Sequence, residues 1–126
     1  RLVRTLCKNC KESYHPEQSE YDEMVREYGG DLFEKNVNIP YSEDLLLYRP
    51  VGCDQCNNTG YRGRMGLHEL LMGSDNIKSL IQSRAPMSEI RDQAILEGMT
   101  TLKQDGIEKI FEGHCDLLEV RKVCIR

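Results

Sequence analysis

Four of the six cysteines lie in two pairs, and each pair has the two-residue gap that turns both thiolates toward one metal ion. The pairs are Cys7 with Cys10 and Cys53 with Cys56, and 42 residues separate the two pairs. Together they supply the four ligands of a tetrahedral site, which suits Zn²⁺ and also iron. A closed shell of four sulfurs leaves no position for water or substrate. We therefore expect a structural zinc site.

Two other uses of paired cysteines stay open. A disulfide framework needs an oxidising compartment, and no export signal is visible in the sequence. A thioredoxin-like pair needs one reactive CxxC in a βαβ setting, whereas this chain has two CxxC pairs. The other two cysteines, Cys115 and Cys124, stand alone in an apolar stretch, where we expect them to be buried as small apolar residues.

Basic residues flank both cysteine pairs. Four thiolates around one Zn²⁺ carry a net charge of about −2, so positive charge nearby would stabilise the site. Lys8, Lys11, Arg62 and Arg64 are close enough in sequence to supply it.

The composition argues against several functional classes. Lys and Arg number 17 against 21 Asp and Glu, which gives a net charge of −4 and a pI near 5.4. A zinc ribbon that binds nucleic acid needs a basic stripe and stacking aromatics, and only 6% of these residues are aromatic. No apolar run approaches the roughly 20 residues of a membrane span. The chain begins at Arg1 inside a structured pattern, so we expect a piece of something larger.

The elements around the cysteine pairs are predicted to be mixed. A helix is predicted from Pro16 to Tyr28, where apolar residues recur at helical spacing before Gly29-Gly30. The polar stretch 31–44 indicates a loop.

Two short strands complete this first part. They are predicted at 45–48 and 67–72, with a glycine-rich hairpin before the second strand and a packed His68 within it. Residues 1–72 are thus expected to form a small α+β subdomain that depends on a zinc staple.

From residue 73 onward the pattern is helical only. Four short helices are predicted, with Gly or Pro between them. The last begins with Asp116 and Glu119, an Asp variant of the capping box. The predicted starts or caps are Ser74, Ser88, Leu102 and Asp116. We expect residues 73–126 to form a small helical bundle.

No catalytic motif is visible. The sequence contains no GxxxxGK[ST] phosphate loop, no GxGxxG and no HExxH, and its three histidines lie far apart. We therefore expect no catalytic and no cofactor-binding residue in this chain.

Three segments together resemble one protein family. They are RLVRTLCxxC from Arg1, RPVGCxxCxxTGYRGRxGxHELL from Arg49, and GMTTLKQDG from Gly98. In these segments the chain resembles the C-terminal part of the type II secretion and type IV pilus assembly ATPases, the GspE and PilB group. The resemblance covers about 1–10 and 49–123, and the long gap between the cysteine pairs is natural in this family.

The resemblance implies a non-catalytic region that follows a RecA-like motor core, with residues 1–6 as the end of that core. It implies that Cys7, Cys10, Cys53 and Cys56 bind structural zinc, whereas ATP and Mg²⁺ bind only to the missing upstream core. It also implies a cytoplasmic homohexamer, peripheral to the bacterial inner membrane, that couples ATP-driven motion to the inner-membrane platform protein. Neither nucleic acid nor direct membrane insertion is expected.

Four arginines match the same segments. Arg1 and Arg4 match the end of the motor core, and Arg62 and Arg64 match the GYRGR stretch. Their guanidiniums are candidates for an interface with a neighbouring subunit or for a place near the nucleotide. The simpler alternative is that these arginines balance the charge of the zinc site and form an ion pair with Glu69 of the same chain.

A second hypothesis is a freestanding zinc-knuckle adaptor, or a chaperone-like module that binds protein. It rests on Cys53-x-x-Cys56-x-x-x-Gly60, which is close to the CxxCxGxG repeat of the DnaJ-type chaperones. Such modules need several repeats, and this chain has one imperfect copy.

Overall fold

A computed structural model describes residues 1–69, 71 and 73–124. These residues form an α+β structure with four strands and six α-helices. The strands are β1 Leu2–Leu6, β2 Glu12–Tyr14, β3 Leu47–Arg49 and β4 Tyr61–Gly66. The helices are α1 Gln18–Tyr28, α2 Asp31–Asn36, α3 Asp75–Gln82, α4 Met87–Leu96, α5 Leu102–Phe111 and α6 Leu117–Val123.

The strands form two separate antiparallel pairs. β1 pairs with β4, with Arg4 opposite Arg64 and an irregularity before Leu6. β2 pairs with β3, with Tyr14 opposite Leu47. The two pairs bring the chain segments that follow β1 and precede β4 to the same place, and these segments carry the cysteines.

The strand prediction for 67–72 is wrong, because the strand occupies Tyr61–Gly66. The segment 61–66 is rich in Arg and Gly and has little apolar character of its own. It becomes a strand because β1 offers a row of hydrogen-bonding partners, and Met65 lies opposite the buried Val3. His68 is exposed rather than packed in a strand. Leu70 and Met72, from the predicted strand, lie outside the described residues.

The predicted loop at 31–44 is wrong in part, because it contains α2. Phe33 on this helix is 1% exposed and makes edge-to-face contacts with Tyr21 and Tyr28. One aromatic residue in a polar segment therefore folds the segment onto the core. Other boundaries differ slightly: β3 is displaced from 45–48, and Pro86 rather than Ser88 precedes α4.

Several local signals are confirmed. Gly29 ends α1 with φ +119° and donates its N–H to the carbonyl of Val25. The Ser74 side chain accepts a hydrogen bond from the N–H of Ile77 at the start of α3. The Asp116 side chain accepts one from the N–H of Glu119 at the start of α6. Cys115 and Cys124 are buried.

The described chain divides into two compact units. The first combines residues 1–67 with the part from Leu102 onward, and the second is 68–101. This division does not coincide with the predicted boundary at 72/73, because α5 and α6 pack with the strands and α1 in the first unit. Amphipathic spacing identifies the apolar face of a helix, but not the element that covers it.

One hydrophobic core lies in the first unit. Its buried members come from β1, β3, α1, α2, α5 and α6, and from the segments that follow β4, α5 and α6. They are Val3, Met24, Tyr28, Phe33, Leu47, Leu67, Ile107, Ile110, Cys115, Val120 and Cys124. The second unit has α3 and α4 and buries Ile77 and Ala94. Within the described residues, no helix is long and apolar enough to cross a membrane.

Candidate metal centre

The four paired cysteines converge on one point. Cys7 and Cys10 lie in the turn after β1, and Cys53 and Cys56 bracket a 3-10 turn before β4. All four Sγ atoms lie within 4.8 Å of one another. The distances are 3.8 Å from Cys7 to Cys53, 3.8 Å from Cys10 to Cys56 and 3.7 Å from Cys53 to Cys56.

This spacing matches a metal tetrahedron. A bond of about 2.3 Å from Zn²⁺ to each sulfur gives an edge between sulfurs of about 3.8 Å. A disulfide would bring two sulfurs to about 2.05 Å, and all six cysteines are free thiols. The donor set and its geometry therefore suit a tetrahedral metal ion, and the disulfide alternative does not describe this arrangement.

The backbone around each pair forms a tight turn. The N–H groups of Cys10 and Lys11 both donate to the carbonyl of Cys7. In the second turn, the N–H groups of Cys56 and Asn58 donate to the carbonyl of Cys53.

A glycine closes the second turn. Gly60 has φ +83°, and a Cβ there would lie 2.4 Å from the Cβ of Pro50. The close approach of these two backbone segments therefore requires glycine at this position.

The sulfurs accept hydrogen bonds from amides. The backbone N–H of Gly52 donates to Cys10 Sγ at 3.3 Å. The N–H groups of Cys53 and Gly60 both donate to Cys56 Sγ at 3.2 Å. Such bonds favour the thiolate, which is the form that binds metals. The sequence reasoning did not identify these donors, although glycines on both sides of the second CxxC pair were the available signal.

The amides shift the pKa values of the thiols. Desolvation acts to raise the pKa of Cys56, but hydrogen bonds from the N–H groups of Cys53 and Gly60 and from the thiols of Cys53 and Cys10 together outweigh it and bring the pKa to about 6. The Asn9 side chain lowers the pKa of Cys53. The Gly52 N–H favours the thiolate of Cys10, but desolvation and the three neighbouring thiols raise its pKa to about 11.

Two of the flanking basic residues bind elsewhere. Lys11 Nζ donates to the carbonyl of Gly113 at 2.9 Å and lies 4.5 Å from the centre of the Tyr48 ring. An Arg62 guanidinium nitrogen donates to Gln55 Oε1 at 3.1 Å. Lys8 and Arg64 are exposed. At the sulfurs themselves, the described contacts are with amides rather than with cationic groups.

Arg4 has an intramolecular partner that the sequence reasoning did not find. Its Nε and NH2 groups donate to the two carboxylate oxygens of Glu119 at 3.1 and 2.9 Å. The guanidinium also lies 4.1 Å from the centre of the Tyr61 ring, whose hydroxyl donates to Asp116. All four matched arginines are exposed, and Arg4 is bound through its guanidinium to Glu119 of α6.

Comparison with known proteins gives one consistent result. A family model described as "Type II/IV secretion system protein" matches residues 1–122. The chain is 40% identical over 123 residues to the type II secretion system ATPase E of Vibrio cholerae. It is 37% identical over 120 residues to the type IV pilus assembly ATPase PilB of Thermus thermophilus. It is 33% identical over 123 residues to the type IV pilus assembly ATPase TfpB of Acinetobacter baylyi.

These matches cover nearly all of this chain and a small share of each relative. They include 98%, 95% and 98% of the chain for the Vibrio, Thermus and Acinetobacter proteins. The corresponding shares of the relatives are 22%, 12% and 19%. The chain therefore spans about a fifth or less of the length of these curated relatives.

Proposed function

The chain belongs to the type II/IV secretion system protein family, and we propose that it is the non-catalytic C-terminal part of a hexameric secretion or type IV pilus assembly ATPase. The match to secretion and pilus ATPases over 12 to 22% of their length supports this proposal. The sequence also has no phosphate-loop motif of its own. In this proposal ATP and Mg²⁺ bind to an upstream RecA-like core, and residues 1–6 are the end of that core.

The convergence of four sulfurs is the observation that carries the structural role. We propose that Cys7, Cys10, Cys53 and Cys56 bind Zn²⁺, which fits the distances of 3.7 to 3.8 Å between neighbouring sulfurs. Bound there, the ion would supply cross-linking and no chemistry of its own, since four protein ligands close its shell. It would hold the segment after β1 against the segment before β4.

A rigid first unit suits a coupling element. The two cysteine turns, the β1–β4 pair and the last helix are joined by direct bonds, among them Leu6 N–H to His114 carbonyl at 2.9 Å and Arg4 to Glu119. Displacement of β1 by an upstream core would therefore move α6 with it. We propose that this unit passes ATP-driven motion to an inner-membrane platform protein, on the cytoplasmic side of the bacterial inner membrane.

The exposed arginines are candidates for contacts with other parts of the hexamer. Arg4 is occupied by Glu119, so we propose that Arg64, with Arg1 and Arg62, faces a neighbouring subunit or lies near the nucleotide. A guanidinium suits both partners, because its planar fork binds a carboxylate or a phosphate through two hydrogen bonds.

The proposal is tested in the full-length parent ATPase with Cys53→Ser and Arg64→Ala. We expect Cys53→Ser to lose bound zinc and to reduce secretion or pilus assembly in cells, because the unit no longer transmits motion. We expect Arg64→Ala to keep zinc and to lower ATPase turnover or hexamer formation. Arg91→Ala, an exposed arginine of the second unit, is the control. Normal secretion or pilus assembly by the zinc-free Cys53→Ser protein would contradict the coupling role. Unchanged ATPase turnover and unchanged hexamer formation in the Arg64→Ala protein would contradict the role of Arg64.

A further inference from the structure

One side chain bridges the two cysteine turns at the sulfurs. Asn9 lies between Cys7 and Cys10, yet its Nδ2 donates to Sγ of Cys53, in the other turn, at 3.4 Å. The two residues are 44 positions apart in sequence. The amide donors from Gly52, Cys53 and Gly60 to these sulfurs are backbone groups.

The backbone donors serve several sulfurs, and Cys53 Sγ itself also accepts from the backbone N–H groups of Gln55 and Cys56. Gly52 donates to Cys10, and Cys53 and Gly60 donate to Cys56. Asn9 differs from these backbone donors, because it supplies Cys53 with a neutral side-chain N–H donor that comes from the opposite turn. A donor of this kind withdraws negative charge from a thiolate and fixes the direction of its lone pairs, without adding a charge or a ligand.

We propose that Asn9 is a positioning residue of the metal centre, whose carboxamide holds Cys53 in place and tunes how strongly its sulfur donates to the metal. This inference rests on the proposed metal site. Four thiolates around Zn²⁺ carry a net charge of about −2, which hydrogen bonds to sulfur reduce. Two of the nearby cations bind oxygen atoms instead, since Lys11 donates to the carbonyl of Gly113 and Arg62 to the side chain of Gln55.

Substitution of Asn9 by aspartate separates this role from the shape of the side chain. Asn9→Asp keeps the size of the side chain but replaces the N–H donor with an oxygen acceptor that faces a thiolate. Asn57→Asp is the matched control, because Asn57 is also exposed and is adjacent to the ligand Cys56. This substitution changes the charge by the same amount as Asn9→Asp. The left-handed backbone of Asn57, with φ 55°, tolerates aspartate.

The experiment measures Zn²⁺ affinity of the full chain by competition with a chromophoric chelator. We expect Asn9→Asp to weaken binding about tenfold or more, within the range for residues that bond to metal ligands. Asn57→Asp is expected to change the Zn²⁺ affinity less than threefold, because an exposed charge is screened by solvent and salt. Asn9→Ala should weaken binding less than Asn9→Asp, since it removes the donor without adding an acceptor.

A spectrum of the Co²⁺-loaded chain supplies a second measurement. Loss of the donor makes the Cys53 thiolate a stronger electron donor, so the sulfur-to-cobalt charge-transfer band should move to longer wavelength in both Asn9 variants and stay in place in Asn57→Asp. Equal weakening by Asn9→Asp and Asn57→Asp, or unchanged affinity and band position in the Asn9 variants, would overturn the role of Asn9. A wild-type chain that binds neither Zn²⁺ nor Co²⁺ would overturn the metal site itself.

Discussion

Glu119 is a buried carboxylate that joins the first strand to the last helix. Its side chain is 4% exposed and accepts hydrogen bonds from the backbone N–H, Nε and NH2 of Arg4. Lys122 Nζ lies 3.4 Å from the same carboxylate. The hydrogen bonds from Arg4 lower the pKa of Glu119 although burial opposes them. The sequence marks Glu119 as a residue of the α6 capping box, but its structural partner is Arg4.

The lowered pKa predicts a pH dependence of stability. A carboxylate with a depressed folded-state pKa stabilises the fold above its unfolded pKa of about 4.3, and this contribution is lost as the pH falls through the folded value. We expect Glu119→Gln to lower the free energy of unfolding by about 1 to 2 kcal/mol near pH 7, a value reduced by the partial exposure of Arg4. The difference from wild type should shrink as the pH falls below 4.

Urea unfolding followed by circular dichroism at several pH values measures this difference. Glu112→Gln is the control, because Glu112 is half exposed and faces Lys109 at 3.8 Å on the surface. Its stability should differ from wild type by no more than about 0.5 kcal/mol at each pH. A Glu119→Gln deficit that stays constant down to pH 3 would show that the ion pair is not its source.

At the scale of the elements, α5 and α6 approach each other over a glycine. A Cβ at Gly106 would lie 2.7 Å from Cγ1 and 3.0 Å from Cγ2 of Val120, and 3.3 Å from Cδ1 of Leu67. Val120 and Leu67 are 0% and 1% exposed, so these atoms have little room to move. Glycine in a helix interior is usually unfavourable, and here it permits the contact that holds α6 on the core.

We predict that Gly106→Ala destabilises the first unit by about 1 to 3 kcal/mol. The gain of about 1 kcal/mol in helix propensity is outweighed by overlap with the two Val120 methyl groups. Urea unfolding measures the effect. Gly73→Ala is the control, since the nearest atom there is Lys78 Cε at 3.7 Å.

The Val120→Ala background tests the cause. Once the two methyl groups are removed, Gly106→Ala should become neutral or stabilising, because only the propensity gain remains. Additive losses in the double variant would contradict the contact between the two helices as the reason.

For the whole molecule, the cysteine cluster belongs to the same compact unit as the last two helices. Residues 1–67 and the part from Leu102 onward form this unit, and 68–101 form the other. Direct bonds tie the residues on either side of the first cysteine turn to the segment after α5, from Leu6 to His114 and from Lys11 to Gly113. Metal-linked stability should therefore extend over the first unit rather than end at residue 72.

We predict that removal of the metal lowers amide hydrogen-exchange protection across 1–67 and 102–124 more than across 68–101. The measurement compares the zinc-loaded chain with the chain treated with a chelator, and re-addition of Zn²⁺ should restore protection. Cys53→Ser should reproduce the loss, whereas Cys124→Ala, which leaves all four paired cysteines intact, should keep the metal. Loss confined to 1–72 would instead support the division predicted from the sequence.

The sequence by itself determined the features that depend on short stretches of chain. The CxxC spacing identified the four cysteines that converge, Gly29 identified the end of α1, and Ser74 and Asp116 identified two helix starts. The family also followed from motifs within the sequence. Each of these signals acts over a few residues, through backbone geometry or a local hydrogen bond, so it can be read without a fold.

Only the tertiary structure decided which distant elements meet. It placed β4 at 61–66, where β1 supplies the partner groups, and it folded α2 from a polar segment through the burial of Phe33. It also paired Arg4 with Glu119, 115 residues away, and turned Asn9 toward Cys53. Strand pairing, burial and choice of partner depend on contacts between residues far apart in the chain, and residue type and spacing alone do not specify those contacts.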